Sequence, residues 1–89
     1  MFHLRDLQCF VQVYESRSFS RAADKLDTVQ SQVSLRIQRL EQFTGSRLFV
    51  RLHRGVAPTA KGELLYQHAG RVLRGISDME TAIRVRDAA

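Results

Sequence analysis

Few residues in this sequence carry the chemistry of catalysis. The three histidines, His3, His53 and His68, stand far apart along the chain, and no Ser/His/Asp or Cys/His set falls on segments expected to adjoin. There is no glycine-rich phosphate loop and no carboxylate pair suited to a pocket. Cys9 is the only cysteine, which excludes an internal disulfide and a thiolate zinc site. Inside an apolar helical segment it reads as a small packing residue rather than a nucleophile. An enzyme, a metal centre and a cofactor are therefore not expected. The chain instead concentrates hydrogen-bonding chemistry between Thr28 and Gly45. There Ser31, Ser34, Leu35 and Gln38 fall on one side of a helix wound at about 100° per residue, with Arg36 and Arg39 flanking them. A solvated helix face usually carries Glu and Lys pairs. This face has no carboxylate; Gln, Ser and Arg are the residue types that read base edges and hold phosphates.

The elements that must position this face can be read from spacing. Val33, Ile37, Leu40 and Thr44 recur at four- and three-residue steps and form the inner stripe of the same helix, which starts at Thr28 and stops at Gly45. Upstream, residues 4–16 put Leu4, Leu7, Phe10, Val11 and Tyr14 on one stripe, with Arg5, Asp6, Gln8, Gln12 and Glu15 elsewhere. Phe19–Leu26 reads as a short second helix capped by Ser18 or Ser20, with Phe19, Ala22, Ala23 and Leu26 inward. Its paired alanines allow another helix to cross closely. Two helices, a short turn through Asp27-Thr28 and a polar helix after it make the helix-turn-helix arrangement.

After Gly45 the helical period stops. Apolar pieces at Leu48–Leu52 and Val56–Pro58 flank His53-Arg54-Gly55, a hairpin with a basic tip in which Gly55 permits a positive φ and Pro58 suits a strand end. A basic tip beside such a helix is a wing able to reach phosphates or the minor groove, although Arg51, His53 and Arg54 also fit a solvated loop. Thr59 then caps a long helix to about Arg86, in which Leu65, Ala69, Val72, Ile76, Met79 and Ile83 step by 4, 3, 4, 3 and 4. Arg74–Asp78 and Glu80–Arg84 form i,i+4 pairs on its outer side. Its first turns, through Leu64 and Leu65, pack on the core. The distal seam is longer than a small core can cover, so it calls for a partner: a second copy, or a domain outside this sequence.

Composition agrees. Eighty-nine residues allow one small core. The net charge of +5 and pI of about 10.4 point to a polyanionic partner. Residues 1–58 hold nine Lys/Arg against five Asp/Glu, net +4, whereas residues 59–89 hold five against four, net +1. No apolar run approaches the ~18–20 residues that span a bilayer, and the start lacks the layout of a signal peptide. A soluble, reducing, cytoplasmic setting is expected.

Taken in order, these pieces resemble the N-terminal DNA-binding domain of LysR-type bacterial transcriptional regulators. The matching residues are Phe10, Ser18-Phe19-Ser20-Arg21-Ala22-Ala23-Asp24-Lys25-Leu26, Gln30-Ser31-Gln32-Val33-Ser34, Ile37 and Arg39-Leu40-Glu41. They continue as Gly45, Leu48-Phe49-Val50-Arg51, Arg54-Gly55-Val56, Thr59 and Gly62. The resemblance implies a mainly α fold: a winged helix-turn-helix over residues 1–58, then a linker and dimerisation helix over 59–89. It implies sequence-specific binding of double-stranded DNA as a homodimer (or a tetramer in a full-length regulator), with a small-molecule effector acting only through a C-terminal domain not contained here. Gln30, Ser31, Ser34 and Leu35 would meet base edges and backbone in the major groove, joined by Gln32 and Gln38, and Arg54 would meet the minor groove. Ser18, Ser20, Arg21, Lys25, Thr28, Arg36, Arg51 and His53 are the candidates for phosphate.

Four positions depart from the family pattern. Leu35 stands where the family commonly has Arg, which exchanges a guanine contact for an apolar contact to a thymine methyl. Val29 stands where Ser or Thr usually caps, which moves the cap to Thr28. Pro58 and Lys61 replace the usual apolar and small residues at the junction of wing and helix. The rival expectation is a helical protein–protein adaptor that works through the long helix, with the basic face incidental.

Overall fold

A computed structural model describes residues 1–88, with side-chain environments through Arg84. Ala89, the last residue of the expected linker segment, lies outside the described residues. The order of elements is α1 (Leu4–Ser16), α2 (Phe19–Lys25), α3 (Gln30–Thr44), β1 (Phe49–Arg51), β2 (Val56–Pro58) and α4 (Ala60–Ala88). This is the expected mainly helical arrangement with a two-stranded wing.

Each boundary has a local cause. The Ser18 hydroxyl accepts the Arg21 N–H at 3.1 Å and opens α2, which decides between the two serines considered for that cap. Gly45, at φ 71°, closes α3 by donating its N–H to the Glu41 carbonyl at 2.8 Å. Thr59 opens α4: its Oγ1 accepts the Gly62 N–H at 3.1 Å while donating to the Arg47 carbonyl at 2.6 Å. The start of α3 corrects the sequence reading. The residue at the cap is Val29, with no side-chain bond; Thr28 instead donates its N–H to the Ala23 carbonyl at 2.9 Å, closing the turn behind Asp27 in its left-handed conformation.

The core joins Leu7, Phe10 and Val13 of α1, Ala22 and Ala23 of α2, Val33, Ile37 and Leu40 of α3, Leu48, Phe49 and Val56 of the wing, and Ala69 of α4. Cys9 is buried among them, as expected of a packing residue, and burial pushes its thiol up. On α1 the expected stripe is shifted. Val13 is fully buried and Leu4 is exposed. Asp6, assigned to the polar side, has no exposed surface at all. Leu64 is likewise exposed rather than packed, and only Leu65 of that pair joins the core.

The wing is antiparallel, with Phe49 opposite Pro58, Val50 opposite Ala57 and Arg51 opposite Val56. The Val56 N–H donates to the Arg17 carbonyl at 3.1 Å and so ties the wing to the α1–α2 turn. Gly55, at φ 72°, lies so close to that carbonyl that a Cβ there would strike it. Gly62 is the matching contact at the other end: a Cβ would strike the Leu48 carbonyl, so α4 leaves the wing at backbone contact distance. Farther along α1 and α4, Tyr14 stacks on Tyr66 at 3.7 Å between ring centroids. Tyr14 donates its hydroxyl proton to Glu63, and Tyr66 donates to Glu15 at 2.8 Å. The pairs expected at Arg74–Asp78 and Glu80–Arg84 are not formed; the described ion pairs join Arg36 and Arg39 to Asp6 and Arg47 to Glu41. Arg74 folds back instead, its guanidinium lying beside Gly70 one turn earlier.

Candidate nucleic-acid interface

The outer side of α3 is open. Gln30, Ser31, Gln32, Leu35 and Gln38 are exposed, and Ser34 is half-buried where the helix faces the wing. Leu35 keeps 49% of its surface exposed, an apolar side chain in the middle of a polar face. No side chain bonds the first N–H groups of α3, and this end of a helix carries partial positive charge. Ser34, Gln38 and Glu41 line a groove whose far wall is Arg47 and, on the wing, Val50 and Arg51.

The basic residues fall on both flanks of this face. Arg51, His53 and Arg54 are exposed on the wing. The tip turn is closed by the Leu52 N–H donating to the Gly55 carbonyl at 3.0 Å. On the other flank Ser20, Arg21 and Lys25 of α2 are exposed, while Ser18 is half-buried as the cap of that helix and Thr28 is half-buried in the turn. Arg21, Lys25, Arg51 and Arg54 make no ion pair among the described residues. Four cations without internal partners among the described residues are thus arrayed around a helix whose stretch from Gln30 to Gln38 holds no carboxylate.

Arg36 does not join them. Its Nη1 lies 3.1 Å from Asp6 Oδ1, and Arg39 Nη1 lies 3.2 Å from the same oxygen. In this structure the Arg36 guanidinium is turned onto a buried carboxylate of α1 rather than outward with the other cations. This pairing was missed in the sequence: Asp6 and Arg36 are thirty residues apart, and nothing local marks them as partners.

The seam on α4 divides in two. Leu65 packs against the core and Ala69 is buried in it. Val72, Met79 and Ile83 are 48%, 57% and 55% exposed, with Ile76 half-buried between them. His3, His53 and His68 are all exposed and on different elements. Among the described residues no three of His, Cys, Asp and Glu converge as metal ligands, and no helix is long and apolar enough to cross a membrane.

The family described as bacterial regulatory helix-turn-helix protein, lysR family, matches residues 4–63. The chain belongs to the LysR family. Among the LysR-family relatives, the HTH-type transcriptional regulator CfxR of Cupriavidus necator is 38% identical over 81 residues, 91% of this chain and 26% of CfxR. BenM of Acinetobacter baylyi is 42% identical over 76 residues, 85% of this chain and 25% of BenM. The chain therefore spans about a quarter of the length of these regulators. The structure of the BenM DNA-binding domain in complex with catB site 1 DNA superposes with a TM-score of 0.94 at 36% identity, covering 99% of both chains. That of the CbnR DNA-binding domain–DNA complex superposes at 0.89 and 29% identity, covering 96% of this chain and 98% of that one. The LysR family thus accounts for both the wing and the long final helix.

Proposed function

We propose that this chain reads double-stranded DNA as the DNA-binding domain of a LysR-type transcriptional regulator in a bacterial cytoplasm. Residues 1–58 form the reading domain, and the linker segment that follows is built on α4. The observation that carries this function is the exposed, carboxylate-free face of α3 with unpaired cations on both flanks. Residues 30–38 enter the major groove, with Gln30, Gln32 and Gln38 hydrogen-bonding base edges, Ser31 and Ser34 meeting bases or backbone, and Leu35 touching a thymine methyl. Arg54 enters the minor groove, where a guanidinium is drawn to negative potential. Ser18, Ser20, Arg21, Lys25, Thr28, Arg51 and His53 hold phosphates and set the register without reading sequence. The fit to the BenM and CbnR DNA-binding-domain structures, both solved with DNA, supports DNA binding by this fold.

The protein acts as a homodimer. Val72, Ile76, Met79 and Ile83 form an apolar seam on α4 that its own core leaves uncovered, and a two-fold pairing would bury it. Tetramer formation and a small-molecule effector belong to the full-length regulator, acting through a region outside this sequence.

Fluorescence anisotropy tests this function with a duplex from the intergenic region beside the protein's own gene and a scrambled duplex, at about 50 and 200 mM salt. Preference for the native duplex that survives the higher salt is the expected result. No binding at either salt would transfer the function to a protein–protein adaptor working through α4. Within the same assay Arg51→Ala is expected to weaken both duplexes alike and lower the salt slope by about one. Gln30→Ala is expected to cost preference with little change in the scrambled duplex.

A further inference from the structure

The core stripe of α3 does not account for everything that holds this helix. Arg36, Arg39 and Phe43 lie about 90° around the helix from Val33, Ile37 and Leu40; the two arginines meet Asp6 in the first turn of α1, and Phe43 meets Phe2 just ahead of that turn. Arg36 Nη1 and Arg39 Nη1 converge on Asp6 Oδ1 at 3.1 and 3.2 Å, and Arg39 also reaches Oδ2 at 3.4 Å. The His3 N–H donates to Oδ2 at 2.9 Å. Phe43 meets Phe2 edge-on, with ring centroids 4.8 Å apart. The carboxylate at the centre has no exposed surface.

These two lines of contact do different physical work. Burial of an apolar stripe is non-directional, so Val33, Ile37 and Leu40 hold α3 against the core while permitting some roll about its axis. Charge-assisted hydrogen bonds are directional and stronger than those between neutral groups. Two guanidinium groups from successive turns, meeting one immobile carboxylate at the side of the helix, oppose that roll. Roll decides which side chains of the outer face point at a duplex, and base readout requires placement within a fraction of an ångström.

We propose that Asp6 is a positioning residue for the reading helix, setting the roll of α3 through Arg36 and Arg39. The inference rests on the DNA-reading function proposed above. Asp6 touches no base; it acts through α3.

The test uses the same two duplexes with the chain as it stands and its Asp6→Asn, Arg39→Gln and Arg36→Gln variants, each checked for native helix content by circular dichroism. Asp6→Asn is expected to lower the ratio of native to scrambled affinity about tenfold, the worth of one good base contact, with the scrambled affinity held. Arg39→Gln, which leaves Asp6 paired with Arg36, is expected to lower the ratio severalfold and decides the matter where Asp6→Asn does not fold. Arg36→Gln is expected to leave the salt slope unchanged. A folded variant at Asp6 or Arg39 with an undiminished ratio would overturn the proposal, since a purely structural ion pair changes stability alone. A salt slope lowered by about one in Arg36→Gln would also overturn it, by returning Arg36 to phosphate. Absence of any preference in the parent chain would instead overturn the DNA-reading function, and this inference with it.

Discussion

The reading helix α3 and the distal half of α4 are opposite solutions to the same problem. Both are helices with one side turned away from the domain. The outward side of α3 is polar, and the helix behind it is secured by Val33, Ile37 and Leu40 in the core, by Arg36 and Arg39 on Asp6, and by the Leu48 N–H donating to Glu41. The outward side of distal α4 is apolar at Val72, Met79 and Ile83, and the core does not reach it. A face that must present fixed donors and acceptors requires a rigid support beneath it. A face meant for another helix requires only apolar side chains at the right period, because the partner completes the packing. The molecule measures 53 Å along its longest axis against 26 and 20 Å across. The 29 residues of α4 extend over about 43 Å at 1.5 Å each, so this helix supplies that elongation.

The contrast can be broken from the α3 side first. Asp6→Ala removes the shared anion and leaves two partly buried guanidinium groups facing each other. Because both retain some exposure, the loss lies at the low end for a broken buried pair, about 3 kcal/mol in denaturant unfolding. Gly62→Ala comes next. Its added methyl meets a backbone carbonyl that cannot turn aside, and separation of α4 from the wing is expected to cost about 2 kcal/mol. Gly55→Ala suffers both the left-handed backbone and the Arg17 carbonyl, yet a three-residue strand can lift away, so about 1–2 kcal/mol is expected. Hydrogen exchange at the Val56 amide would show that loss locally.

A pH titration separates the two halves of α4. Hydrogen bonding to Glu63 raises the Tyr14 phenol above its usual value of 10.0, and hydrogen bonding to Glu15 does the same for Tyr66. Groups raised in the folded state contribute fully below the unfolded value and lose that contribution as pH rises through the folded one. The α1–α4 junction is therefore expected to weaken only above about pH 10, followed by tyrosinate absorbance, and Tyr14→Phe should flatten that dependence. The smallest effect on the single chain is expected at the seam. Met79→Ser should change its unfolding by less than about 0.5 kcal/mol, while sedimentation shows loss of the dimer. A Met79→Ser chain that is destabilised at every concentration would place Met79 in an intrachain contact and remove the contrast.

Local rules were sufficient for much of this fold. Helix starts and stops at Ser18, Gly45 and Thr59 follow from side chains that bond backbone groups within three or four residues, or from a glycine that accepts positive φ. The wing follows from a change of period and from Gly55. The polar face of α3 and the basic wing tip were equally visible, since a face needs only helical spacing and the tip only its position in a hairpin. The cap at Thr28 failed because the helix starts one residue later, with Val29 at the cap position and Thr28 held in the turn behind it.

By itself, then, the sequence determined the order of the elements, the composition of the outer face of α3 and the family to which the chain belongs, because each rests on residue type at short separation. Tertiary structure alone decided which charges are free. Arg21, Lys25, Arg51 and Arg54 have no ionic partner among the described residues, whereas Arg36 is held by Asp6, thirty residues away. It also divided a uniform seam into Leu65 and Ala69, covered by the core, and Val72, Met79 and Ile83, left outside. Periodicity reports which residues share a side of a helix. What lies against that side depends on how far the rest of the chain reaches.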